Sequence, residues 1–173
     1  YLPNQRENEI RDLAQMGATQ YACPGVGTWN QLVPLLRSGF SNNQVMCQHA
    51  HKYHAIGMLN TDWGDYGHVC QPAFSIPGIL YGAAFAWNAN AMTYEEVNDA
   101  VSFLAFGDAT GDFMRAFDAL SCHEVFNWFH VVRWIEEKDA EKRHAIYNDE
   151  NLHLEKLESA NAEVDAALAQ LHT

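Results

Sequence analysis

The chain has 173 residues, of which 48% are hydrophobic and 18% charged, a composition that is typical of one globular domain and not of a disordered chain. Ten basic against 22 acidic residues give a formal net charge of −12, which weighs against nucleic acid and anionic membrane surfaces as partners. No apolar run reaches the roughly 18 residues of a membrane span, and no signal peptide is predicted. A neutral partner, such as a sugar or a peptide, is easier to accommodate.

The four cysteines stand at positions 23, 47, 70 and 122, without a CxxC pair. This spacing resembles neither a zinc cluster nor a disulfide scaffold, so we expect free thiols in a reducing compartment and a cytoplasmic location. An extracellular location stays open, because the sequence does not begin with Met. His51 and His54 can share a helix face, but no third ligand matches them. The sequence therefore predicts neither a metal nor a cofactor.

The first half alternates helices with short β-prone segments. The predicted elements are a helix near 5–16, a strand at 19–23, a short helix around Leu35, a helix from Ser41 or Asn42 to about Tyr53, a strand at 55–60 and a helix at 75–88. Gly17 suits the end of the first helix, and the last helix is apolar on nearly every side, so we expect it to be buried. This alternation is typical of a parallel βα sheet, with the two strands adjacent.

The second half is predicted to be entirely helical. Thr93 and Glu96 form a capping box that begins a helix carrying Val97, Val101 and Leu104. A second helix follows Gly111 and carries Phe113, Phe117 and Leu120. Near the end, Leu157, Val164 and Leu171 stand seven apart, but over only about two and a half heptads, so a helix packed on its own domain is favoured. The alternative is a dimer seam in which Asn161 is a buried polar residue that sets the register.

The densest group of functional side chains follows the second strand, in the segment 60–68. Asp62 and Asp65 flank Trp63, and His68 ends the segment. Such a set suits a pyranose, because carboxylates accept hydrogen bonds from sugar hydroxyls and the indole covers the C–H face. The alternative is a structural loop in which Asp caps, Gly turns and Trp fills the core.

A smaller group, Tyr21, Trp29 and Asn30, accompanies the first strand. In βα sheets the chemistry lies at the carboxyl ends of the strands, so we expect both groups on one rim. The alternative is a plain Pro24–Gly25 turn with Trp29 in the core. Two strands alone do not form a stable parallel sheet, so either further strands are hidden in the sequence or they precede Tyr1.

Three separated motifs carry a family resemblance. They are Tyr21-Ala-Cys-Pro-Gly with Trp29-Asn30, then Leu59-Asn-Thr-Asp-Trp-Gly-Asp-Tyr-Gly-His68, then Pro77-Gly with Tyr81-Gly-Ala-Ala and Trp87-Asn88. In this order they resemble the C-terminal part of the family 20 glycoside hydrolases, β-N-acetylhexosaminidases with a (β/α)8 barrel. The resemblance covers about residues 1–90, whereas 91–173 loosely resemble a helical extension of some bacterial members.

The resemblance implies an α/β fold that is mostly α by content. Residues 1–90 would supply about the last two βα units of the barrel, with 19–24 and 56–60 as its seventh and eighth strands. Residues 91–173 would form a helical extension packed on them.

The resemblance also implies hydrolysis of terminal N-acetylhexosamine residues by a substrate-assisted retaining mechanism. The catalytic Asp-Glu pair would lie upstream, so this chain would contain no catalytic residue and be inactive alone. Trp63 would form a pocket wall, Asp65 would accept from the 4- or 6-hydroxyl group, and Tyr21 would donate to the acetamido carbonyl. Many members have another Asp where Cys-Pro-Gly follows Tyr21 here. Trp29 would be a second pocket aromatic.

The full predicted substrate-binding set is Trp63, Asp65, Asp62, Tyr21, Trp29, Asn30 and His68. Its expected partner is a carbohydrate that ends in N-acetylglucosamine or N-acetylgalactosamine. Self-association is expected through exposed barrel edges or the C-terminal helix. The alternatives are a non-catalytic carbohydrate-binding module and a helical dimerisation module.

Overall fold

The computed structural model describes residues 7–90, 92–122, 127–147 and 154–171. In chain order the elements are α1 (Glu7–Gln15), β1 (Tyr21–Ala22), α2 (Leu36–Lys52), β2 (Gly57–Met58), α3 (Asp65–His68), a 3-10 turn (Pro72–Ser75), α4 (Ile76–Trp87), α5 (Tyr94–Phe106), α6 (Asp112–Ser121), α7 (Trp128–Glu136), α8 (Ala140–Tyr147), a 3-10 turn (Leu154–Lys156) and α9 (Leu157–Gln170). The predicted fold, mostly helical with a small parallel sheet, is confirmed. Across these ranges no helix combines the length and apolarity that crossing a membrane requires.

The sheet consists of β1 and β2 in parallel, with Tyr21 opposite Gly57. Backbone hydrogen bonds continue the ladder beyond the two strands, from Leu59 N–H to Ala22 O at 2.8 Å and from Val26 N–H to Thr61 O at 3.0 Å. The prediction of two adjacent parallel strands, joined by a helix, is therefore confirmed.

Helix α2 begins at Leu36, so the predicted cap at Ser41 or Asn42 and the separate short helix before it are wrong. Asn42 is buried within the helix, where its Oδ1 accepts a hydrogen bond from the Gly25 N–H at 2.9 Å. The neighbouring Asn43 donates from Nδ2 to Gly39 O at 2.9 Å. Asn42 looks like a cap in the sequence because it is short and polar, but it docks the helix onto the loop after β1.

Helix α4 lies against the strands through a glycine face. A Cβ on Gly78 would lie 2.5 Å from the Val26 Cβ, and a Cβ on Gly82 would meet the Asn60 amide. Both glycines are required because the helix backbone approaches so closely. The prediction that α4 is buried on nearly every side is wrong: Ile79 is 50% exposed and Trp87 is 93% exposed.

Helix α5 starts with the predicted capping box, in which the Glu96 N–H donates to Thr93 Oγ1 at 3.2 Å and the Thr93 N–H to Glu96 Oε2 at 2.8 Å. Val97 and Val101 are buried as expected, but Leu104 is 75% exposed. The buried residues of α5 are Val97, Asn98, Val101 and Ser102, and Asn98 accepts a hydrogen bond from the buried Tyr81 hydroxyl at 2.5 Å. Polar residues therefore share the packed side, and Leu104 lies outside it.

The two halves share one core. Phe40 on α2 meets Tyr81, Phe85 and Tyr94 edge-on, with ring centroids 5.5, 5.0 and 5.1 Å away. The buried apolar residues of this core are Leu36, Phe40, Cys47, Tyr81, Phe85, Val97, Val101, Met114 and Phe117. Described residues of the second half thus share this core with residues of the first. Burial raises the pKa of Tyr81 and Tyr94.

Helix α9 packs on α6 within the same chain, which is the arrangement that the sequence favours. Its buried positions are Ala160 and Ala167, not the leucines, of which Leu157 and Leu168 are exposed. Asn161 is also exposed on the single chain. Alanines occupy the packed side because the two helices approach closely.

All four cysteines are free thiols. Cys47 and Cys70 are buried, and burial raises the pKa of each thiol to about 11. Cys23 is half-buried and Cys122 is exposed.

Candidate functional site

The candidate site is built from the loops that follow β1 and β2 at the carboxyl end of the ladder. Gly25 and Thr61 form a parallel bridge there, and the Thr61 side chain donates to Pro24 O at 2.7 Å. The two loops are thereby held side by side, as the βα argument predicts. Any ligand that binds one loop lies close to the other.

Asp62 joins the two loops through its carboxylate. Its Oδ1 accepts a short hydrogen bond from the Thr28 hydroxyl and lies 3.4 Å from His68 Nε2. His68 Nδ1 lies 2.9 Å from the Cys70 carbonyl. The pKa of His68 is raised, first by its hydrogen bond to Cys70 O and then by the charge of Asp62. Asp62 therefore has protein partners, and it fixes the shape of the site.

Trp63 and Asp65 are the side chains that this loop presents outward. The indole of Trp63 is 47% exposed, and its Nε1–H donates to Thr61 Oγ1 at 3.0 Å. Asp65 is exposed at the start of α3. The loop thus offers solvent an oriented aromatic ring and a carboxylate.

The backbone of α3 is left-handed at three successive residues. Tyr66, Gly67 and His68 have φ of 54°, 97° and 54°. Glycine adopts this conformation without cost, whereas each of the other two costs about 1–2 kcal/mol. Interactions elsewhere must therefore hold the loop in this shape.

Helix α7 of the second half supplies part of that restraint. The Trp128 Nε1–H donates to Tyr66 O at 3.0 Å, and the Trp128 backbone N–H donates to Asn30 O at 2.8 Å. The Tyr66 and Phe129 rings lie 5.4 Å apart. One residue of α7 thus contacts both site loops.

Neither Trp128 nor Phe129 is among the residues that the sequence predicts for the site. Trp128 stands 62 residues after Tyr66, and no local pattern connects the two positions. The one available signal is the aromatic-rich segment around α7, which a helical core alone would also explain.

Asn30 belongs to the site through its backbone. It has a φ of 59°, its carbonyl accepts from Trp128, and its side-chain Oδ1 is buried without a hydrogen bond in the described part of the chain. Trp29 beside it is half-buried. Both residues lie on the loop after β1, as predicted.

Tyr21 lies at the other end of the ladder, so the expectation that it shares the rim with Trp63 is not met. It pairs with Gly57, and its ring covers that glycine. The Gly25–Thr61 bridge follows four residues later, which is about 13 Å along a strand. The sequence predicts that Tyr21 lies in the strand, but it does not predict the register of the two strands. Because the ladder continues past Pro24, Tyr21 lies at its start and not at its carboxyl end.

The sheet has one covered and one open face. Ala22 and Met58 face the helices and contribute to the packed interior. Tyr21 and Leu59 alternate with them and are exposed, Tyr21 to 61%. An apolar sheet surface therefore faces outward.

Among the described residues, no group of three His, Cys, Asp or Glu side chains could hold a metal ion. Comparison of the chain with protein-family models, with curated proteins and with solved structures gave no match. The site geometry is therefore the basis for the function that follows.

Proposed function

We propose that this chain is the C-terminal portion of a glycoside hydrolase acting on terminal N-acetylhexosamine residues, and that it supplies walls of the sugar site. The observation that carries the proposal is the outward display of Trp63 and Asp65 in a restrained loop at the carboxyl end of parallel strands. Binding sites for neutral sugars commonly combine an aromatic face with an adjacent hydrogen-bond acceptor.

Each loop residue has a separate task in this proposal. Trp63 covers the C–H face of the terminal sugar, and its hydrogen bond to Thr61 fixes the ring. Asp65 accepts a hydrogen bond from a sugar hydroxyl group. Asp62, held by Thr28 and His68, keeps the two loops together and does not contact the sugar.

The open sheet face supports the barrel part of the proposal. A two-stranded sheet is marginal by itself, and the exposed Tyr21 and Leu59 are side chains that a barrel interior would cover. We therefore assign the catalytic acid pair to strands outside this chain. The substrate's own acetamido carbonyl would be the nucleophile, so this chain alone would not hydrolyse glycosides.

The test is titration of the 173-residue chain with N-acetylglucosamine, followed by the NMR signal of the Trp63 indole. We expect a saturable shift that Asp65→Asn weakens about tenfold, as loss of a charged hydrogen-bond partner implies. Asp12→Asn, an exposed carboxylate on α1, is the matched control and should bind like the wild type. Absence of a Trp63 shift, or equal affinity in Asp65→Asn, would contradict the proposal.

A non-catalytic carbohydrate-binding module is the second candidate. It is favoured by the engagement of Asp62 with Thr28 and His68, which leaves Asp65 as the outward carboxylate of the loop. An aromatic face and one outward acceptor are enough to bind a neutral sugar, and such binding needs no acid pair from outside this chain. Turnover of a fluorogenic N-acetylglucosaminide by a longer protein that contains this chain would decide for the hydrolase.

A further inference from the structure

A cavity of about 820 Å³ lies at the opposite end of β2 from the candidate site. It is open to solvent on one side and is bounded by the last turns of α2 and α4 and by the start of β2. Ala50, Met58 and Phe85 give it an apolar lining. The volume falls within the roughly 300–1,000 Å³ of small-molecule sites.

The rim of the cavity carries one aromatic ring and several amides. Trp87, on the last turn of α4, is 93% exposed, so its ring faces are open to a ligand. The Gln48 Nε2 donates to Asn90 Oδ1 at 2.9 Å and to Ala89 O at 3.3 Å. These two bonds fix the Gln48 amide and do not use its oxygen. Asn88 is fixed in turn, because its Oδ1 accepts from the Asn90 N–H at 3.1 Å.

The charges around the cavity favour an uncharged ligand. The part of the lining that the structure describes contains no carboxylate, so a cation would find no counter-charge. The basic residues of the lining are His51 and Lys52, and the Lys52 Nζ lies 2.5 Å from Glu7 Oε1 and is compensated. A chain with a net charge of −12 also repels anions.

We propose that this cavity is a second, separate binding site for an uncharged sugar. Trp87 stacks on the C–H face of the ring, and the amides of Gln48, Asn88 and Asn90 exchange hydrogen bonds with its hydroxyl groups. Amides suit this task because each both donates and accepts. The site goes beyond the proposed function: it lies away from the Trp63 loop and does not depend on a barrel.

The test is an NMR titration of the 173-residue chain with the β-1,4-linked trimer of N-acetylglucosamine. We expect the indole signal of Trp87 to shift saturably. In Trp87→Ala, where binding is followed by the side-chain amide signals of Gln48 and Asn90, the affinity of the cavity should fall about tenfold, as loss of an aromatic contact implies. Gln48→Ala should weaken it by a smaller factor. Ile79→Ala is the matched control, since Ile79 is exposed on the same helix outside the cavity, and it should bind like the wild type.

The titration separates this inference from the proposed function. A Trp63 shift without a Trp87 shift overturns the second site and leaves the proposed function standing. A Trp87 shift without a Trp63 shift supports the second site and contradicts the proposed function. Unchanged affinity of the cavity in Trp87→Ala also overturns the inference, and because Trp87 is exposed, this variant is expected to fold.

Discussion

The two halves of the molecule are held together by different means. In residues 7–90, buried side-chain amides and glycines join α2 and α4 to the strands, as Asn42 and Gly78 illustrate. In the second half, α5 and α7 begin with capping boxes, and α5 and α6 contribute Val97, Val101, Met114 and Phe117 to the shared core. The first kind of contact leaves no room for a side chain at Gly78, and this half carries the candidate site. The second kind is less demanding, yet α7 restrains that same site.

Phe40→Ala tests whether the halves form one cooperative unit. Phe40 contacts rings from both halves, so the substitution should lower the free energy of unfolding by about 3–5 kcal/mol. Urea denaturation should show a single transition at a lower midpoint. Phe103→Ala, at an exposed position on α5, is the control and should change stability by less than about 0.5 kcal/mol. Two separate transitions, with only one displaced, would mean that the halves unfold independently.

Gly78→Ala tests the close backbone contacts of the first half. The added methyl group would collide with Val26, so we expect a loss of about 1–3 kcal/mol, measured by the same denaturation. Ile79→Ala, one residue along and exposed, should cost much less. If both variants were equally stable, α4 would not depend on its glycine face.

Trp128→Phe tests the restraint that the second half places on the site. The ring remains, but the hydrogen bond from Nε1 to Tyr66 O is lost, which should weaken the loop by about 0.5–1.5 kcal/mol. Amide hydrogen exchange at residues 64–68 should accelerate. Trp134→Phe, on the same helix, does not touch that carbonyl and is the control. Equal exchange in both variants would assign the restraint to other contacts.

The pH dependence of His68 gives the smallest effect. The pKa of His68 is raised in the folded protein, so its charged form stabilises the loop below the ordinary value near 6.5. This contribution should disappear as the pH rises through the folded pKa. An NMR titration of the imidazole should give a pKa above 6.5 that falls partway in Asp62→Asn, because the Cys70 carbonyl remains. A pKa at or below 6.5 in the wild type would contradict the described pairing.

Features with a local cause could be predicted from the sequence. The capping box at Thr93 depends on residues three apart, and the end of α1 depends on Gly17, which has a φ of 78°. The two strands were also recognisable, because short apolar runs were bounded by turn residues. The prediction was wrong where a polar side chain bonds to a distant part of the chain. Asn42 was expected to begin α2, but it lies within that helix and accepts a hydrogen bond from Gly25.

The candidate site was predictable only in part for the same reason. Asp62, Trp63 and Asp65 follow a strand, and topology brings them to one rim. The register that moves Tyr21 to the other end, and the 62-residue connection from Tyr66 to Trp128, are set by packing of the whole chain. Neither the register nor this long-range contact produces a periodic pattern that could be recognised in the sequence.

The buried thiols have a practical consequence for following the motions of the protein. Only a thiolate reacts with an alkylating reagent, and burial raises the pKa of Cys47 and Cys70 to about 11 while also excluding the reagent. Cys122 is exposed, so the reagent reaches its thiol without any opening of the protein. The alkylation rate of Cys47 therefore measures how often the shared core opens, and that of Cys70 reports the segment next to His68. These two thiols thus report the rates at which the core and the segment next to His68 open, and no label has to be added to the protein.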